Sequence, residues 1–261
     1  MKTIVLSGAA AHLTHLLFEW LAIAVGVQLY RRQRAKGGQT GILQPGHYGV
    51  IIGCILGAAI GNKLVFWLEI PQLWAPHWQD VGIWASGQSI VGGLLGGLIG
   101  VELSKKWTGI RESTGDNFVL PLVAGTAVGR IGCFLAGLND GTFGNPTTLP
   151  WGIDFGDGIA RHPTQLYDIA FVLLVGGLLL KLRPRFQAKP GLLFKLYLSG
   201  YLLWRLAVDA IKPVPYDYLL EFSGIQWVCL LALLCYLPFV VRQWLTSETN
   251  DRKERNATVV Q

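Results

Sequence analysis

The chain has 261 residues, 51% of them hydrophobic and only 15% charged, with a mean hydropathy of +0.41. That excludes an ordinary soluble domain, in which about a quarter of residues carry charge. The net charge of +6 falls in short basic blocks between apolar runs, a pattern of membrane topology signals and not of a nucleic-acid-binding face.

A membrane-crossing helix needs about 20 mostly apolar residues. The sequence predicts about seven, over residues 7–29, 48–68, 82–103, 118–138, 164–182, 192–211 and 224–241. Basic residues follow the first span (Arg31, Arg32, Arg34, Lys36), the third (Lys105, Lys106, Arg111), the fifth (Lys181, Arg183, Arg185, Lys189) and the seventh (Arg242, Arg252, Lys253, Arg255). The remaining connectors are nearly bare, with Arg161 in 139–163 and Lys212 after the sixth span. Cytoplasmic loops carry the excess of Lys and Arg. The expectation is an all-α polytopic membrane protein of about seven transmembrane helices, N-terminus outside and C-terminus cytoplasmic.

Residues 1–245 read as one transmembrane domain and 246–261 as a polar, disordered cytoplasmic tail. No cleavable signal peptide is expected, because the arginines after the first apolar stretch retain it as an anchor. Cys54, Cys133, Cys229 and Cys235 all lie in apolar stretches without metal-ligand spacing and read as small core or lipid-facing side chains. The connector 139–163 is long and rich in Gly, Pro and Asp, and long loops are often functional.

Ionisable side chains at mid-bilayer cost about 2.5–3.5 kcal/mol on insertion scales, so each needs a partner, a water cavity or a function. His12, His15 and Glu19 share one face of the first span. The third span brings Ser86, Gln88 and Ser89 early, and the fourth carries Arg130 in its outer half. The fifth begins with Gln165, Tyr167 and Asp168, and the sixth presents Tyr201, Arg205 and Asp209 as one stripe near its outer end. Under the expected topology these groups converge on one leaflet. Arg205 and Asp209 also have the spacing of a self-neutralising pair. Lys63 reads as snorkelling to the surface and Glu102 as sitting by the headgroups beside Lys105 and Lys106. Arg130 has no acidic residue within reach on its own helix, so its partner comes from another helix or from a ligand. The glycines at 92, 93, 96, 97 and 100 form a packing face or leave room for lipid chains.

Two arginines with a carboxylate, a tyrosine and a histidine suit a phospholipid headgroup: guanidinium holds phosphate in fork geometry and stays charged when buried. Held charge also eases departure of a phosphate-bearing leaving group, and a nearby histidine accepts a proton near neutral pH. The residue chemistry points to an enzyme or carrier acting on an anionic lipid.

Three strings go further. Gly129-Arg130-Ile131-Gly132, with Phe134 and Gly141 beyond, resembles the signature of the bacterial prolipoprotein diacylglyceryl transferases. Arg161-His162-Pro163-Thr164-Gln165-Leu166-Tyr167-Asp168 resembles that family's helix-opening segment, and Tyr201, Arg205 and Asp209 its Tyr-x3-Arg-x3-Glu helix. Val91-Gly92-Gly93-Leu94 resembles its His-Gly-Gly-Leu run. The resemblance implies transfer of a diacylglyceryl group from phosphatidylglycerol to the lipobox cysteine thiol of a lipoprotein precursor, or to a related acceptor. It implies a multi-pass protein of the bacterial inner membrane, working at its outer side, in contact with membrane lipids and without nucleic acid, metal or organic cofactor. Arg130 and Arg205 would hold the headgroup phosphate, with Asp209 orienting Arg205, Tyr201 beside it and His162 in a catalytic role. Gly129, Gly141, Gln165, Tyr167, Gly92 and Gly93 would line the substrate site.

The sequence departs from the family pattern at Val91 (histidine), Cys133 (asparagine), Leu138 (glutamate) and Asp209 (glutamate). His162, His15 or Glu19 are the candidates to replace a basic histidine at 91. Two rival readings are a non-catalytic phospholipid-binding or lipid-transport relative, favoured by those losses, and a small-solute transporter. The transporter predicts a broken-helix repeat, which the sequence lacks.

Overall fold

The computed structural model describes residues 6, 8–36, 48–85 and 87–259 and, within these, all side chains but those at 83, 85 and 246–259. Among the described residues seven long helices follow one another: α1 (Gly8–Lys36), α2 (Tyr48–Glu69), α3 (Ile90–Thr108), α4 (Val119–Ala136), α5 (Thr164–Lys181), α6 (Leu192–Asp209) and α7 (Gly224–Val259). Five are long and apolar enough to cross a membrane, by length and composition: α1, α2, α4 with its flanking turns, α5, and α7 as far as Leu245. The other two carry more charge, Glu102, Lys105 and Lys106 in α3 and Lys195, Arg205 and Asp209 in α6. α7 runs on to Val259, through most of the stretch expected as a tail; the side chains there, residues 260–261 and Ser86 lie outside those described.

Most helix bounds fall within a few residues of the predicted spans, but α3 starts eight residues later than the expected 82. The reason is local. Gly87 sits at φ +63° and Ser89 is extended, its Oγ accepting from the Gly92 amide at 3.3 Å as an N-cap. The stretch before it forms a short helix, Val81–Ala85, whose Trp84 ring meets Trp67 edge-on at 4.5 Å. α3 ends at Gly109, left-handed at φ +73°.

α2 and α3 pack as a hairpin through glycine. Gly53, Gly57 and Gly61 face Gly100, Gly96 and Gly92, and a Cβ built on any of the six would overlap the facing carbonyl. Backbones approach this closely only where side chains are absent. α1 lies along α4, with Gly132 beneath the Phe18 ring and Gly26 against Pro121. α4 packs on α5, α5 on α6, and α6 on α7, while the α2–α3 hairpin meets the rest chiefly along α7. Val91, Ala127, Val172, Leu198, Leu202 and Cys229 form the core where α3 through α7 converge. Large apolar side chains such as Leu17, Trp20, Ile55, Leu174 and Leu234 point outward, as a surface facing lipid requires.

At one end of the bundle Asp116 accepts from the Gly191 and Phe194 amides and caps α6, while Arg183 donates to Gln33 and Asn117, both at 2.8 Å. At the other end the chain after α4 forms a small hairpin, β1 (Ile153–Asp154) against β2 (Ala160–Arg161), with Ile153 opposite Arg161. Phe155, nearly fully buried, pins this hairpin onto Phe134 and Phe143.

Candidate active site

Antiparallel neighbours deliver their polar residues to this second end: the last turns of α4 and α6, the first turns of α5 and the N-terminal part of α1. Arg130 of α4 has its partner on another helix, as its solitary position in the sequence required. Its Nε lies 2.8 Å from Asp168 Oδ2 of α5, an ion pair without a well-aimed hydrogen bond. Arg205 Nη1 stands 3.7 Å from the same oxygen, while its Nη2 donates to both Asp209 oxygens at 2.7 and 2.8 Å. Lys212 Nζ is 3.3 Å from Asp209 Oδ1, and Trp204 Nε1 donates to Asp168 Oδ1 at 2.7 Å.

The two guanidiniums are 6% and 5% exposed, and Arg205 Nε and Nη1 are buried without a hydrogen-bond partner. Beside them the Tyr201 hydroxyl and both amide atoms of Gln165 are likewise buried and unpartnered. Buried polar atoms almost always find a partner, and clusters of exceptions call for a ligand or a role. Here donors predominate, which suits an anion.

Arg130, Arg205, Asp209 and Lys212 line a cavity of about 1200 Å³ between the α1–α4 pair and the α2–α3 hairpin. Its polar end is completed by His12, His15, Glu19, Cys133, Asp140 and Gly141. Its apolar remainder runs along Ile23, Gly26, Val27, Ile55 and Leu122 as far as Tyr30 and Phe118. A charged head joined to a long apolar trough matches the shape of a phospholipid. At the polar end His15 Nδ1 lies 2.6 Å from Asp140 Oδ1, and Thr142 donates to Asp140 Oδ2. Cys133 Sγ is 3.9 Å from Arg130 Nη1.

Of the residues singled out in the sequence, Arg130, Arg205, Asp209, Gly129 and Gly141 reach the cavity wall. Tyr201 and Gln165 lie buried behind it. His162 and Tyr167 form a separate cluster outside it: His162 Nδ1 is 3.2 Å from the Tyr167 hydroxyl, which also accepts from Trp151 Nε1 at 2.8 Å. The His162 main chain is tied to Gly144 and Asn145, which holds the ring there. Gly92 stands in the α2–α3 seam, and Gly93 faces Ala58 and Asn62 of α2 at ordinary contact distance, so the wall at this height is Val91. Asp168, the carboxylate between the arginines, and Asp140 were visible as polar residues, but spacing along one helix gives no sign of a partner on another.

These features define an all-α membrane protein with a buried, cation-rich cluster on the wall of a lipid-shaped cavity. The sequence model of the prolipoprotein diacylglyceryl transferase family matches residues 13–242. The chain belongs to that family. It is 31% identical over 238 residues to a protein of Bordetella avium, covering 87% of this chain and 88% of that one. It is 33% identical over 221 residues to one of Coxiella burnetii (79% and 78%) and 30% identical over 211 to one of Nitratidesulfovibrio vulgaris (80% and 78%). All three are phosphatidylglycerol–prolipoprotein diacylglyceryl transferases.

Proposed function

We propose that this chain transfers the diacylglyceryl group of phosphatidylglycerol to the lipobox cysteine thiol of a lipoprotein precursor, at the outer side of the bacterial inner membrane. One observation carries the reading: two buried arginines meet on a single carboxylate at the polar end of a lipid-sized trough. The donor's phosphodiester takes the unsatisfied donors of Arg205 and the remaining donors of Arg130, while its acyl chains lie along α1 and α4. As the thiol attacks the glycerol carbon, negative charge gathers on the departing phosphate, and the fixed guanidiniums stabilise it without reorganising. Asp209 and Asp168 hold the arginines in place, and Tyr201 and Gln165 support them from behind. The names of the relatives favour turnover over a non-catalytic lipid-binding role.

The topology belongs to the same reading: about seven spans in one domain over residues 1–245, N-terminus outside, C-terminus cytoplasmic. The alternation of basic and bare connectors supports it, as does the gathering of the charged cluster at the end remote from Arg183, Lys181 and Lys195.

Purified protein given labelled phosphatidylglycerol and a lipobox peptide should release glycerol phosphate and lipidate the peptide, and the gene should rescue cells depleted of their own transferase. Phosphatidylglycerol bound without turnover would favour the carrier reading.

A further inference from the structure

Val91 holds the place where the family resemblance puts a histidine, and a valine takes no proton. The acceptor thiol must still lose one, because the thiolate is the nucleophile and a free thiol is mostly protonated at neutral pH. We propose that His15 takes that proton, with Asp140 as its positioning partner. A carboxylate–imidazole pair carried by α1 and the turn after α4 thus replaces the base that the chain lacks at position 91.

The pair is built by the close approach of α1 to α4. A Cβ at Gly132 would overlap the Phe18 side chain and stand 3.6 Å from the His15 carbonyl. Its absence lets α1 settle against the last turn of α4, where the chain bends through Asp140. His15 Nδ1 meets Asp140 Oδ1 at 2.6 Å, and Thr142 donates to Asp140 Oδ2, which aims the other oxygen at the ring. A carboxylate on Nδ1 fixes the tautomer that leaves the lone pair on Nε2, and it stabilises the imidazolium once Nε2 has taken a proton. The Asp140 side chain is only 5% exposed, whereas that of His15 keeps 34% and lines the cavity, so the ring is reachable while its partner is screened from water. The place fits as well. His15, Asp140 and Cys133 have polar atoms within 4.8 Å of one another, and Cys133 Sγ is 3.9 Å from Arg130 Nη1. The base therefore stands beside an arginine of the phosphate site. His12 and Glu19 also reach the wall, but it is His15 that has the carboxylate partner. His162 is held outside the cavity, against Tyr167.

The inference rests on the transferase reading for its chemistry. The thiol's proton passes to His15 Nε2, leaving a thiolate beside the imidazolium and Arg130. The sulfur then attacks the terminal glycerol carbon of the diacylglyceryl group. The S–C bond forms as the C–O bond to phosphate breaks, and the electron pair leaves on the phosphate oxygen beside the arginines. The imidazolium returns its proton to water, and nothing is oxidised or reduced.

The test uses the full chain in phosphatidylglycerol nanodiscs at neutral pH, with two reduced lipobox peptides. One carries the natural cysteine and the other a selenocysteine in its place, whose selenol is already ionised and needs no base. His15→Gln keeps a donor for Asp140 but offers no basic nitrogen. It should slow lipidation of the cysteine peptide by more than about 100-fold, the lower end of what a general base contributes, and that of the selenocysteine peptide by only a few-fold. Asp140→Asn should show the same preference more weakly, since an amide no longer fixes the tautomer. In His162→Gln any loss should fall equally on both peptides. His15→Gln slowing both peptides equally, or neither, overturns the His15–Asp140 assignment while leaving the transferase reading intact, and so does a selenocysteine preference in His162→Gln. Wild-type protein that lipidates neither peptide overturns the transferase reading, and the assignment with it.

Discussion

The α2–α3 seam and the α4–α5–α6 seam join helices in the same bundle by opposite means. The first is largely backbone on backbone, six glycines against facing carbonyls, with the Ser104 hydroxyl beside Gly53. The second is charge on charge, with Arg130, Asp168, Arg205 and Asp209 interlocked and several of their neighbours' polar atoms unsatisfied. A purely structural join has no reason to leave donors unpaired in an apolar setting, where each costs about 1–3 kcal/mol. The glycine seam therefore reads as architecture and the charged seam as function, and each makes a different prediction under mutation.

The largest effect is expected in the charged seam. Arg205→Ala and Arg130→Ala should each lower kcat/KM for glycerol phosphate release by more than about 100-fold, as loss of a transition-state charge partner does. Arg130→Lys should recover little, because lysine lacks the fork. Full activity in either alanine variant would end the distinction between the seams. In the glycine seam, Gly96→Ala should cost about 1–3 kcal/mol by overpacking, or about 2–4 °C of melting temperature per kcal/mol in a chain of this size. Gly93→Ala should be near neutral, since its Cβ would meet Asn62 only at 4.0 Å. Equal melting temperatures for the two variants would show that the seam is not a close contact.

A smaller effect is expected from Lys212, just past α6. Burial first, and then the charge of Arg205, pushes its ammonium down to about 8. Phosphatidylglycerol affinity should fall several-fold as pH rises through that value, and Lys212→Met should remove the dependence. A wild-type binding curve flat from pH 7 to 9 would exclude Lys212 from the site. The smallest effect lies in the β hairpin. There the Arg161 guanidinium, bound through both Asp157 oxygens, holds the Asp157 carboxyl down at about 2 against an ordinary 3.8. A depressed acid stabilises the fold above its unfolded value and loses that contribution as pH falls through the folded one. Asp157→Asn should therefore leave thermal stability nearly unchanged at neutral pH, the pair being exposed, and flatten its decline between about pH 4 and 2.

Much of this was legible in the sequence, for physical reasons. Apolar length marks helices, and Arg130, Arg205 and Asp209 announced themselves as charges in apolar runs. The late start of α3 was not legible, because a hydropathy window passes over Gly87 and Ser89 without registering a turn or a cap. His162 stood out through its motif, yet the imidazoles on the cavity wall are those of His12 and His15, and it is His15 that has a carboxylate partner. Its partner Asp140 lies on a distant stretch of chain, and only the packing of α1 on α4 joins the two. Asp168 was likewise visible as a residue but not as the carboxylate that two arginines share.

The composition of the charged seam has a consequence for turnover. Three cationic groups, Arg130, Arg205 and Lys212, surround two carboxylates, Asp168 and Asp209. On the proposed assignment, a phosphodiester brings a single negative charge and makes the pocket electroneutral. Once the ester to the diacylglyceryl carbon is cut, the departing group is a monoester approaching two negative charges near pH 7. The same pocket then holds an excess of anion and repels it toward water. The step that forms the product thus also loosens it, and the pocket is returned to a state that draws in the next lipid.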